Sequence, residues 1–470
     1  MARFRVTVLD HPATLAGHMA AWNDLAAAAL EPNVFYEPWM LLPAIDSFGR
    51  GRELRYVLVY ADQGNAPPLL CGLFPLERAV RYNGLPFPHV RLWQHKHCFL
   101  GTPLVRVAHA RACLDTFLDW LEADSDGAAA IKWGAVAADG PFWRALAEVL
   151  AESGRRSFVP YRFERALMRP RAGGEAFLVE ALSRKGAKEL QRLERRLAEA
   201  GKLEYAELRD GTEAEQWIAD FIELEARGWK GRNTSAIGST DAGRLFFTRA
   251  TRAAARRGRL MMLGLRLAGR WIALKCNFLS GEGSFAFKIA YDEEYARFSP
   301  GTLLELENIR RFHARPELRW MDSCADPDHF MANRLWLDRR GLADLVTTTG
   351  RAAGELMVSS LPLLHWMSRT LRRMPGVPLG RGGSASGRQA TVARRGIHAD
   401  PHRPGARTVC RLRPAPFQRR RIALVRARVL ARHSAIPGQH VARSILLHRR
   451  KPSRPAFPVC PHPDRLTRVL

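Results

Sequence analysis

The chain has 470 residues, 47% of them hydrophobic, with 73 Lys+Arg against 46 Asp+Glu and a formal net charge of +27. That length excludes a single small domain, and the apolar fraction suffices for two cores. The charge does not mark the whole chain as nucleic-acid binding: residues 375–470 hold 21 Lys+Arg against Asp400 and Asp464, a net +19, leaving 52 basic and 44 acidic residues, +8, for the first 374.

Taken in order, Phe4–Leu9 reads as a strand and Pro12–Leu30 as an alanine-rich helix, with NVFYEPWMLLPAI supplying the apolar residues that anchor it. Leu54–Tyr60 and Leu69–Leu76 read as a strand pair around a Gly-Asn turn. Further strands are predicted at Arg91–Trp93 and at Leu104 and Val105, and helices at Ala108–Leu121 and Gly140–Ser153. His95, His97 and Cys98 lie close together in WQHKHCF, but without a second ligand pair they predict no metal site. Seven scattered cysteines show no disulfide or zinc spacing and point to a reducing, cytoplasmic setting.

A second unit is predicted to begin near Phe163. In Ser183–Gly201 the residues Ala187, Leu190, Leu193 and Leu197 share one helical face, and six Lys and Arg surround it: a solvated face, or a surface for an anionic donor or acceptor. The next helix turns Trp217, Ile218, Phe221 and Ile222 inward and ends at ELEARGWKGR. Glu225 and Trp229 share a face if that helix continues. A helix over Asp241–Arg257, capped by Asp241, leads into Leu260.

From Leu260 the pattern becomes three strands with one buried face. Leu263, Leu265 and Leu267 alternate, then Ile272, Leu274, Cys276 and Phe278, then Phe285, Phe287 and Ile289. Gly281 and Gly283 are assigned the positive-φ positions of the second turn. Lys275, Asn277 and Lys288 fall opposite the apolar residues, facing a groove, and Asp292 follows the third strand. Ser299 is a candidate N-cap with Pro300 as first helical residue, which would leave the amides of Gly301, Thr302 and Leu303 for an anion such as a phosphate. A strand over Arg319–Ser323 leads to the acidic cluster Asp322, Asp326 and Asp328.

Leu356–Met367 is too short, and too interrupted by Pro362, to cross a membrane; it reads as a packing helix or an interfacial one near anionic lipid. The tail carries no sustained period. It suits a disordered basic arm for nucleic acid or membrane, or a GC-rich gene end read out of frame, and it carries no weight in assigning function.

The motifs NVFYEPWM, FLGTPLV, SRKGAKELQRLERRLAEAG, ELEARGWKG and YDEEYARFSPGTLL, in that order over roughly residues 30–340, resemble the GNAT-like acetyltransferases associated with bacterial cellulose and exopolysaccharide biosynthesis. These are related in turn to the Fem-type aminoacyltransferases. The resemblance implies an α/β (α+β) fold of two GNAT-like domains, with mixed, mostly antiparallel sheets flanked by helices: a degenerate one over residues 1–162, a second over 163–373, and a basic tail over 374–470. It implies a cytoplasmic transferase moving an acyl group from acetyl-CoA or another acyl-CoA to an amine or hydroxyl, with a saccharide or other small-molecule acceptor. Glu225 and Asp292 are then candidate proton acceptors and Lys288 an electrostatic stabiliser. Arg297, Ser299, Gly301 and Thr302 would hold the donor pyrophosphate. The alternatives are an aminoacyl-tRNA-dependent Fem-type transferase, a non-catalytic scaffold, or a nucleic-acid-binding protein acting through the tail.

Overall fold

The computed structural model describes residues 3–124, 128–209, 211–373 and 444–445. The N-terminal elements are β1 (Phe4–Leu9), α1 (Met19–Ala27), α2 (Pro38–Phe48), β2 (Leu54–Gln63), β3 (Ala66–Ala79), β4 (His89–Leu92), β5 (Leu104–Val105), α3 (Ala110–Asp124), β6 (Ala130–Ala137), α4 (Pro141–Glu152) and β7 (Ser157–Met168). There follow α5 (Gly174–Ala181), α6 (Arg184–Ala198), β8 (Leu203–Glu207), α7 (Ala214–Arg227), α8 (Trp229–Arg232), α9 (Asp241–Ala255), β9 (Leu260–Leu267), β10 (Arg270–Ser280) and β11 (Gly283–Tyr291). The last elements are α10 (Pro300–His313), β12 (Trp320–Asp322), α11 (Phe330–Leu335), β13 (Asp338–Thr348), α12 (Ala352–Arg373) and a two-residue β14 (Ser444–Ile445).

These strands form one mixed, mostly antiparallel sheet rather than two, in the order β14-β1-β2-β3-β4-β6-β13-β7-β12-β11-β10-β9-β8, with β5 beside β3. Among the described residues only two strand pairings are parallel, β4 with β6 and β11 with β12. Each is a strand, a helix (α3 or α10) and a strand, as a parallel pair requires a crossover. The same arrangement thus occurs once in each half of the sheet, a repeat invisible as sequence identity. β13, from far down the chain, inserts between β6 and β7. Residue 162, the sequence-suggested boundary, lies within β7. The tail expectation falls outside the described residues except at Ser444–Ile445.

Helices cover both faces, so the expectation of a meander with one buried face is corrected. Met262, Leu274, Cys276 and Phe278 join a core with α2, α7 and α9; Met261, Leu263, Leu265 and Ala273 join another beneath α10. The first core continues unbroken from Trp22 and Trp39 to Phe247 and Phe287, joining the halves. Each large apolar side chain so buried contributes roughly 1.5–3 kcal/mol relative to exposure.

Turn chemistry follows backbone need. Ala268 and Gly269, at φ 46° and 81°, make the two-residue turn between β9 and β10. Gly281 has φ 52°, as expected. Gly283 does not have positive φ; it is needed because a Cβ there would overlap the Trp320 ring. Thr240, not Asp241, caps α9, its Oγ1 accepting from the Gly243 amide at 3.1 Å. The Pro12–Leu30 helix is broken into a 3₁₀ segment, Pro12–His18, and α1.

A buried ionic network ties the central strands together. Asp322, with no exposure, accepts from Arg165 Nη2 of β7 at 2.7 Å and from Arg340 Nη1 of β13 at 2.9 Å, and its Oδ1 lies 2.6 Å from Arg165 Nε in an ion pair. Arg165 also donates to the Phe99 carbonyl at 2.6 Å, and Arg340 lies 3.4 Å from Glu31, whose Oε1 accepts from the Phe142 amide at the start of α4. Burial alone would raise the Asp322 carboxyl, but the Arg165 and Arg340 charges outweigh it and hold it below the usual range. Asp322→Asn, which strands two buried guanidiniums, is expected to cost about 3–5 kcal/mol, read from the urea midpoint. Because the folded pKa is depressed, the stability Asp322 contributes is present above its ordinary 3.8 and is lost as pH falls through the lower folded value. An acid-unfolding curve of wild type should show this loss and the Asn variant should not.

Candidate functional site

The residues that sequence reading selected fall into two places. The first surrounds Glu225, in the last turn of α7 and only 2% exposed. The helix ends at Arg227 because Gly228 turns out of it, with ψ −174°, and the chain doubles back through α8. Trp229 therefore does not continue the Glu225 face and is partly exposed. The reversal instead delivers Lys230, whose Nζ donates to Glu225 Oε1 at 3.1 Å and to the Ile289 carbonyl at 2.7 Å. The Ile237 amide donates to Glu225 Oε2 at 2.7 Å.

Lys288 approaches the same carboxylate from β11, its Nζ 3.6 Å from Glu225 Oε1. The β10–β11 register explains how. Cys276 pairs with Lys288 and Asn277 with Ala286, so Phe287 is an extra residue in a β-bulge. The bulge turns Phe287 into the α2–α9 core while Lys288 faces α7. Lys275 and Asn277 do not share this groove, as the alternation had suggested. They face α10, where Lys275 Nζ donates to Glu305 at 2.8 Å and Asn277 Nδ2 to Asn308 Oδ1 at 2.9 Å.

Burial lowers the Lys288 ammonium to about 8, against the opposing pull of Glu225 and with help from Lys230 and Lys96. Burial would raise the Glu225 carboxyl, but Lys288, Lys230 and the Ile237 amide more than offset it, so it stays ionised. Near neutral pH the titrating member of the pair is the amine. His97 faces the same charge from the N-terminal half. Its ring lies 5.9 Å from Phe246, stacked, and 6.2 Å from Phe287. Burial, then Lys288, His95 and Lys96, keep its imidazole neutral; burial and Lys96 push His95 down to about 3. The Nε2 atoms of both histidines are buried without a hydrogen-bond partner among the described residues, where no group of three metal-ligating side chains occurs.

The second place is the start of α10. Ser299 is its N-cap by position but sits in the left-handed region, φ 54°, and its side chain caps nothing. The amides of Thr302 and Leu303 donate to the Ser299 carbonyl, at 2.9 and 3.1 Å. Only the Gly301 amide of the three expected donors makes no bond among the described residues, and Gly301 itself is buried against Tyr291. The Arg297 guanidinium stacks 4.7 Å over Phe298. Asp292 accepts from the Glu294 amide, capping the 3₁₀ turn of residues 293–298, and from Arg270 at 3.1 Å. The structure therefore brings Glu225 and Lys288 together and leaves Asp292 in a cap of its own. A separate cleft of ≈ 400 Å³ beside α2 and α9, lined by Asp46, Arg50, Tyr56 and Arg249 among others, includes none of these residues.

Residues 184–330 match the family model described as an acetyltransferase (GNAT) domain. The matched segment contains Glu225, Lys230, Lys288 and the α10 start. No curated protein matches the chain. Solved structures similar to it include FemX, at 11% identity over 70% of this chain and 95% of that one, with a TM-score of 0.47. They also include a tandem GNAT protein from the clavulanic acid biosynthesis pathway (14%; 74% and 99%; 0.37). A third is the C-terminal domain of a putative lysylphosphatidylglycerol synthetase from Agrobacterium fabrum (12%; 74% and 96%; 0.43).

Sequence reading missed Lys230, although it lies within the ELEARGWKG motif, because a lysine after a tryptophan carries no signal until the helix break aims it. It weighed His97 only as a metal ligand. Since Glu225 raises the Lys288 pKa, Glu225→Gln should move that amine below about 8. An NMR titration of 13C-methylated lysines reads it directly; an unchanged midpoint would show that the pair does not interact.

Proposed function

We propose that the protein transfers an acyl group from acyl-CoA to an amine on a saccharide or other small molecule, in the cytoplasm, as a step in exopolysaccharide or cellulose production. The observation that carries this reading is the GNAT match over residues 184–330. It is supported by a Lys288 side chain only 12% exposed, whose ammonium burial lowers to about 8 beside an anchored Glu225.

In this reading the acceptor amine attacks the thioester carbon, the carbonyl becomes an oxyanion, and the thiolate of CoA leaves. The nitrogen must lose a proton. Lys288 in its neutral form takes it, because Glu225, held by two ammonium groups and an amide, has little basicity to offer. Glu225 then stabilises the Lys288 ammonium that forms, and Asp292 holds the end of β11 through its cap. Gly301, Ser299 and Thr302 would lie against the donor at the α10 start, with Arg297 as counter-charge after leaving Phe298.

One observation favours a second reading. The α10 start offers a single amide, whereas α6 exposes Arg184, Lys185, Lys188, Arg195 and Arg196, none in an ion pair among the described residues. A row of such cations suits a polyphosphate backbone, hence an aminoacyl-tRNA donor of the Fem type.

Thermal unfolding separates the two. Acetyl-CoA or free CoA at one hundred times its dissociation constant should stabilise the folded chain by roughly 2.7 kcal/mol, an effect lost in Gly301→Glu. No shift with any CoA species, and a salt-sensitive shift with aminoacyl-tRNA, would favour the second reading. For the transfer itself, the rate should rise with pH through about 8, where the Lys288 amine becomes neutral. Lys288→Met should abolish that limb and lower kcat by about 10²–10⁴-fold; a retained limb would assign the proton to another group.

A further inference from the structure

α12 is buried on one side only. Met357, Val358 and Leu361 pack with Ala130 and Val346 against the sheet and with Tyr82 of the β3–β4 loop. On the opposite face Leu356, Leu363, Trp366 and Met367 recur at helical spacing and are exposed, Leu356 by 75% and Trp366 by 63%. From Leu356 to Met367 the helix has no Asp, Glu, Lys or Arg. A surface helix normally turns charge to water; an uncharged outer face of this length marks a surface that is covered in use.

Its surroundings indicate what covers it. The β3–β4 loop, held to α12 through Tyr82 and Phe87, exposes Val80, Arg81 and Leu85, and Arg78 is exposed beside them at the end of β3. Neither arginine has an ion-pair partner among the described residues. The α12 sequence itself ends in Arg369, Arg372 and Arg373. Apolar side chains including a tryptophan, bordered by arginines, are complementary to a bilayer surface carrying negative headgroups: acyl chains accept the first and phosphates the second. A second copy of the same face would oppose arginine to arginine. Among the described residues no helix is long and apolar enough to cross a membrane, so contact would be along the surface.

We propose that the outer face of α12, with the β3–β4 loop, docks the protein onto an anionic phospholipid surface. Full-length protein is sedimented with phosphatidylcholine vesicles with and without phosphatidylglycerol. Binding is expected only to the anionic vesicles and should fall with added salt. Leu363→Glu/Trp366→Glu, at solvent-facing positions that leave the melting curve unchanged, should weaken it about tenfold or more. Arg78→Glu/Arg81→Glu should weaken it about tenfold. Undiminished pelleting in both double variants would assign lipid binding to the basic tail and overturn the proposal. It would also be overturned by no pelleting together with a concentration-dependent dimer that Leu363→Glu/Trp366→Glu abolishes, which would make the face a contact between copies.

Discussion

A carboxylate with no access to water must be neutralised where it stands, and Asp322 meets that condition only if three strands arrive together. Arg165 comes from β7, Arg340 from β13 and Asp322 from the end of β12. These are the neighbours at the centre of the sheet, where segments from the two ends of the chain are interleaved. Arg165 reaches the Phe99 carbonyl and Arg340 reaches Glu31, so the same charges fix the loop that carries His97 and the start of α4. One desolvated ion thus couples strand order to loop position.

The candidate site inherits its geometry from that constraint. His97 belongs to the N-terminal half and Lys288 to the segment that matches the GNAT model, and they meet because the aromatic core of Phe48, Phe246 and Phe287 is continuous between them. Burial in that core removes water from Lys288, which lowers its pKa. Glu225 limits the fall, because Lys230 and an amide keep the carboxylate charged. A lysine that is poised rather than merely cationic requires both effects, and each comes from a different element: the bulge at Phe287 and the helix break at Gly228.

Local pattern carried much of the fold. Alternation placed β9, β10 and β11, the apolar stripe placed α6 and α7, and the Gly-Asn turn placed the β2–β3 hairpin. β6, β7, β8 and β13 were not legible. β13 holds Arg339, Arg340 and Asp344, which argue for a loop until Asp322 and Lys132 neutralise the latter two across the sheet. Capping shows the limit at finer scale: Ser299 followed by proline satisfies the N-cap pattern, yet its left-handed backbone turns the hydroxyl away.

By itself, then, the sequence determined many of the helices and strands, a resemblance to acyltransferases centred on the second half, and Glu225 and Lys288 as candidate site residues. These depend on residues within one or two turns of each other, where periodicity and turn preference act. Only the tertiary structure decided that the two halves share one sheet, that Lys230 and His97 join the pair, and that the donor-side amides are mostly spent within α10. The shared sheet and the meeting of His97 with Lys288 depend on packing between residues more than fifty apart in the chain, which no local pattern encodes, while the aim of Lys230 and the spent amides follow from backbone turns at Gly228 and Ser299 that periodicity does not reveal.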